Sequence, residues 1–116
     1  MSTAFSVDSA RLQDTVGLVT LTGEVDIYTA PRLKEHMLEL FETGVRDMVI
    51  DLSAVTFIDS TALGVLIGGV RRVNDLGGTI ALVVATRPVQ RILSVTGLDQ
   101  VFTVHGTRDE ALAGLG

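Results

Sequence analysis

One switch of pattern constrains this chain more than any other feature. At Phe57-Ile58 an apolar run stops, Asp59-Ser60-Thr61 follow, and apolar residues then recur with helical spacing. Leu63, Leu66, Ile67, Val70 and Val73 fall at i, i+3, i+4, i+7 and i+10, one face of a helix that runs to Asp75. Asp, Ser and Thr cap helix N-termini, because a side-chain oxygen accepts a backbone N–H that the first turn leaves unbonded. Ser60 therefore has two readings: a cap, or a hydroxyl placed where a helix N-terminus favours an added phosphate.

The rest of the chain alternates around this unit. Phe5-Ser6-Val7 reads as a short strand and Thr15 to Glu24 as a longer one; the short polar link Ser9 to Asp14 makes them an antiparallel pair. Glu24 to Thr29 is a loop. Thr29 caps a helix with Pro31 in its first turn, the stripe Leu33, Met37, Leu40 and Phe41, and a stop at Gly44. Asp47 to Leu52 and Thr79 to Val84 are continuous apolar runs, as in strands buried on both faces. Thr86-Arg87-Pro88 opens a helix with Val89, Ile92 and Leu93 inward, stopped at Gly97. Val101 to Val104 is a last strand. Thr107 to Leu115 is a last helix, with Ala111 and Leu115 inward.

The order β-β-α-β-α-β-α-β-α predicts an α/β fold: a mixed, mostly parallel sheet of about five strands, an antiparallel N-terminal edge hairpin and about four helices. With 116 residues and 47% hydrophobic content, one domain over residues 1–116 with its own core is expected. In such sheets, sites collect at the carboxyl ends of strands. The loops there carry Asp26 to Thr29, Asp59 to Thr61 and Thr86 to Pro88.

Several chemistries lack their residues. A net charge of −5 disfavours nucleic acid and anionic membrane surfaces as partners. Without Cys there is no thiolate and no Cys-ligated metal, and His36 and His105 make no metal-ligand pattern. The sole lysine, Lys34, lies mid-helix, away from any phosphate loop. Ser60 lacks the Gly-x-Ser-x-Gly elbow of a serine hydrolase. Asp51 has the rough position of a receiver-domain phosphoacceptor, but no lysine follows it; a strand-end carboxylate bonding loop amides is the better reading. Gly64 and Gly68 read as the place where the helix approaches its own sheet, with a partner-facing role as the alternative. Tyr28 is a contact residue or a lid over the core. Met1 to Asp14 has neither a basic start nor a long apolar run, so no signal peptide is expected, and the protein is read as cytoplasmic.

Gly23-Glu24-Val25-Asp26-Ile27-Tyr28-Thr29-Ala30 and Phe57 to Leu66, with Thr96-Gly97-Leu98 later, resemble the bacterial anti-sigma factor antagonists of the STAS family. The resemblance covers Val16 to Leu115. It implies binding to an anti-sigma factor that is also a serine kinase of the histidine-kinase-like ATPase type, with release of the sigma factor. It implies phosphorylation at Ser60, with Thr61 as the alternative acceptor, and resetting by a metal-dependent serine phosphatase. Asp26, Tyr28, Thr29, Asp59, Ser60, Thr61 and Gly64 would form the docking surface. No cofactor is implied; ATP and its metal belong to the partner. The chain itself would be a monomer or weak dimer without catalytic residues. In place of the family's usual Gly after Asp-Ser-Ser/Thr stands Ala62, a better helix former. The other class of reading is a non-switching STAS scaffold subunit of a stress-sensing or transporter-associated complex, with Ser60 only a cap.

Overall fold

The computed structural model describes residues 4–115. Along the chain run β1 (Ser6–Gln13), β2 (Val16–Val25), α1 (Ala30–Glu42), β3 (Asp47–Ile58), α2 (Ser60–Asp75), β4 (Ile80–Val83), α3 (Arg87–Thr96), a 3-10 turn (Leu98–Gln100), β5 (Thr103–His105) and α4 (Arg108–Leu115). The expected order holds. One sheet has the strand order β1-β2-β3-β4-β5, with β1 antiparallel to β2 and the other pairs parallel.

That order decides where the helices go. Each parallel crossover steps to the next strand in the same direction, and right-handed crossovers of one direction place their helices on one face. Residues of α1, α2 and α3 accordingly share one core with Leu21, Met48, Ile50, Leu52 and Leu82. The last helix, α4, is not a crossover. It covers the opposite face, where Ala111 packs with Leu18, Val49, Ala81 and Val83. Burial on both faces accounts for the unbroken apolar runs of β3 and β4.

Two strands run longer than expected. The stretch Ser9–Gln13 is not a link but the second half of β1, paired with β2 in register Ser9↔Val19 and Ala10↔Leu18. An edge strand can carry polar side chains because its backbone bonds come from its neighbour; Arg11 also donates from Nη1 to the Thr43 carbonyl at 3.1 Å. Strand β3 continues past Leu52 to Ile58, paired with β2 through Val25↔Ile58. Its second half is covered on one side only, with Ser53, Ala54 and Thr56 exposed and Val55 and Ile58 buried, so residue type alone did not mark it. The short β5 begins two residues later than expected, because Val101 closes the 3-10 turn.

The buried stripe of α2 is rotated slightly from the expected one. Ala62, Leu63, Leu66, Gly69 and Val73 are buried, whereas Ile67 and Val70 lie half-buried on its flank. Gly69, not Gly64 or Gly68, makes the close approach: a Cβ there would collide with Met37 Cε and lie 3.0 Å from Ile80 Cδ1. Gly64 and Gly68 are exposed, and a Cβ on either meets nothing within 4 Å. The expectation that these two bring the helix onto its sheet is thus corrected.

Candidate functional site

The register of β2 and β3 builds the site. Val25 pairs with Ile58, so the two parallel strands end side by side and deliver Asp26 and Asp59 to the same edge. The Asp59 amide donates to the Val25 carbonyl at 3.1 Å. Asp59 is the N-cap of α2 in extended backbone, and its Oδ1 accepts the Ala62 amide at 3.0 Å. Its Oδ2 accepts the Ile27 amide at 3.0 Å. One carboxylate therefore holds the first turn of α2 and the β2–α1 loop together.

This arrangement frees Ser60. The reading of its hydroxyl as the cap is corrected: Asp59 caps, and Ser60 is the first helical residue, exposed. Among the described residues no hydrogen bond occupies its Oγ. The helix behind it is 16 residues long and presents the positive end of its dipole here. Thr61, the alternative acceptor in the same first turn, is exposed as well.

The β2–α1 loop is knotted by its own side chains. Asp26 Oδ1 accepts the amides of Tyr28 at 2.9 Å and Thr29 at 3.1 Å. Thr29 occupies the N-cap position of α1, but its hydroxyl does not cap; it accepts the Asp26 amide at 2.8 Å and donates to the Glu24 carbonyl at 3.1 Å. Held this way, the loop projects Ile27, 60% exposed, and Tyr28, 86% exposed. Tyr28 is no lid over the core. Phe57, 48% exposed at the end of β3, lies instead against α3, where it lines a surface hollow with Pro88, Ile92 and Val95.

Residues 9–111 match the STAS domain family. The chain belongs to that family. It is 36% identical over 86 residues to the anti-sigma-B factor antagonist of Bacillus subtilis, covering 74% of this chain and 78% of that protein. To the anti-sigma-B factor antagonist of Staphylococcus aureus it is 31% identical over 99 residues, covering 84% and 92%. The fold superposes on the crystal structure of an anti-sigma factor antagonist from Mycobacterium paratuberculosis with TM-score 0.86 and 29% identity, covering 97% of this chain and 94% of that one.

In this STAS domain Asp26, Tyr28, Thr29, Asp59, Ser60 and Thr61 come together at one end of the sheet, while Gly64 lies a turn along α2 from Thr61. Arg108 was not singled out from the sequence. Asp51 is 5% exposed within β3, where Arg108 meets its Oδ2 from Nη2 at 2.8 Å and Nε at 3.1 Å, and the Ser53 amide bonds Oδ1 at 2.9 Å. Burial pushes the Asp51 carboxyl upward, but the Ser53 bonds and the Arg108 charge outweigh it and hold the pKa below the usual value. The signal was present: a lone Asp inside an apolar strand needs a cation, and an Arg opens the last helix. Among the described residues no three His, Cys, Asp or Glu converge as a metal site requires, and no helix is long and apolar enough to cross a membrane. His36 Nδ1 instead lies 2.7 Å from Ser9 Oγ.

Proposed function

We propose that this STAS domain is an anti-sigma factor antagonist switched by phosphorylation of Ser60. The unphosphorylated chain binds an anti-sigma factor that is also a serine kinase, and the sigma factor is released. The kinase transfers the γ-phosphoryl group of ATP to Ser60 Oγ; the hydroxyl proton leaves, ADP departs and the complex dissociates. A metal-dependent serine phosphatase restores the hydroxyl. The work takes place in the cytoplasm, and the chain contributes a surface, not catalysis.

The observation that carries this reading is the exposed, unbonded Ser60 hydroxyl beside a cap filled by Asp59. The antagonists among its relatives support the partner class. A phosphate adds about −1.5 to −2 charges at neutral pH. Within the chain the N-terminus of α2 accommodates that charge. Across an interface it must be desolvated against a surface fitted to a neutral hydroxyl, next to the Asp59 carboxylate. A penalty near 3 kcal/mol weakens binding roughly a hundredfold. The switch works by repulsion and loss of fit, without refolding.

Mixing the chain with ATP and kinase-type anti-sigma factors, followed by intact mass and phosphopeptide mapping, tests it. Label on Ser60 and dissociation of the phosphoform are expected. Label on Thr61 with Ser60 untouched, or full-strength binding by the Ser60 phosphoform, overturns the reading.

A further inference from the structure

A cavity of about 400 Å³ lies between α1 and α2, open to solvent. Leu38 and Phe41 line it from α1; Val65 and the open backbone at Gly64 and Gly68 line it from α2. Both helices return against the parallel strands, so their matching ends adjoin. Lys34 and Thr61 stand toward the N-terminal end, and at the other end the Arg72 guanidinium sits 5.1 Å above the Phe41 ring. From Thr61 to Arg72 the groove follows α2 for about 16 Å, at roughly 1.5 Å per residue.

Two observations mark the groove as unfilled by the chain itself. Glycine weakens a helix, and nothing inside this fold requires it at Gly64 or Gly68, where a Cβ would meet open space. The chain carries a net charge of −5, yet both ends of the groove are cationic, and among the described residues neither Lys34 nor Arg72 pairs with a carboxylate. Thr61 adjoins Ser60, so a partner that covers Ser60 reaches the mouth of the groove. Two parallel helices with a glycine floor accept the ridge of a third helix at close range.

We infer that the groove receives one amphipathic helix of the anti-sigma factor. Its apolar stripe lies between α1 and α2, and its carboxylates meet Lys34 and Arg72. The inference rests on the function proposed above and adds the chemistry of the docked segment.

The test uses the intact chain and the kinase-type anti-sigma factor that labels Ser60. Gly68→Leu fills the groove; it should melt like the parent protein and bind at least about tenfold more weakly, as interface anchors do when blocked. Leu38→Ala, at an exposed position, gives the same reading should Leu at Gly68 disturb the fold. Lys34→Glu with Arg72→Glu should weaken binding and flatten its salt dependence. A photo-cross-linking residue at Leu38 should capture a kinase segment with apolar residues at i, i+3, i+4 and acidic flanks. Parental affinity in a folded Gly68→Leu protein overturns the inference. So does a cross-link from Tyr28 with none from Leu38, which leaves the Ser60 reading standing. Decanoate that perturbs the Leu38 and Val65 methyl resonances without changing kinase affinity gives the groove to a small anionic amphiphile instead. Failure of the parent chain to bind any such kinase removes both readings.

Discussion

Asp51 and Asp59 are carried by the same strand and its exit, and they do opposite work. Asp51 is sunk between sheet and α4, where it meets a cation as well as the Ser53 amide. Arg108 Nη2 also reaches Thr20 Oγ1 at 3.3 Å, so the pair fastens α4 to two strands at once. Asp59 is half-buried and its partners are two backbone amides from different elements. The first carboxylate is spent inside the fold. The second is spent on arranging its neighbour, because by capping α2 it leaves the Ser60 hydroxyl nothing to do within the chain. What a carboxylate is bonded to, not its presence at a strand, separates structure from function here.

That contrast is broken first at Ser60, where the largest effect is expected. Ser60→Glu should weaken anti-sigma factor binding by roughly a hundredfold, about 3 kcal/mol, and leave the melting temperature within experimental scatter. Ser60→Ala should bind normally and accept no phosphate, holding the sigma factor free. Isothermal titration beside thermal melts reads both. A Ser60→Glu protein that binds normally would end the functional side of the contrast.

Arg108→Met should give the reverse pattern. It strips a buried carboxylate of its cation, a loss of about 1–3 kcal/mol with Arg108 itself half-exposed, while partner affinity stays unchanged. The Ser53 bonds together with this pair set an acid limit. The Asp51 carboxyl is held below its unfolded value, so its contribution is complete above the ordinary carboxyl pKa of about 4 and is lost as pH falls through the lowered one. Denaturant midpoints measured from pH 6 to pH 2 should therefore fall more steeply at the acid end for the parent chain than for Arg108→Met. Parallel curves would mean that the pair contributes nothing.

A smaller loss is expected at Asp59. Asp59→Ala removes a cap and should lower stability by about 0.5–2 kcal/mol. Because it also releases the Ile27 amide, hydrogen exchange should quicken in the β2–α1 loop as well as in the first turn of α2. Exchange confined to α2 would show that Asp59 does not couple the two elements.

Most of the fold was legible because its signals are local: continuous apolar runs, 3.6-residue stripes and the glycine stops at Gly44 and Gly97, both with positive φ. Even the grouping of Asp26 with Ser60 followed once strands and crossovers were in order. What escaped depended on register and distance. Whether Ser60 or Asp59 caps α2 turns on one residue of backbone geometry. The reach of β3 to Ile58 depends on pairing with β2, which residue type does not record. The Asp51–Arg108 pair joins residues that only the turn onto the opposite face brings together. Gly64, Gly68 and Gly69 look alike in sequence, yet only Gly69 faces the core.

The smallest effect expected is at Ala62, where the resemblance and the residue part company. Ala62 is fully buried, and its amide is the one that Asp59 Oδ1 accepts. The amide is present whatever the side chain, so Ala62→Gly keeps the cap bond and loses only a buried methyl and some helix preference. The helix preference alone amounts to about 0.5–1 kcal/mol of stability. The Ser60 hydroxyl is placed by the cap and by the end of β3, not by the Ala62 methyl, and phosphorylation by the partner kinase should keep its rate. The comparison then sharpens to one atom pair: Asp59→Asn keeps an acceptor for Ala62 and should preserve that rate, whereas Asp59→Ala should slow it. Timed phosphorylation of the three variants at equal kinase concentration decides the matter. A marked change for Ala62→Gly would mean that stiffness of the first turn, rather than placement of the hydroxyl, governs recognition.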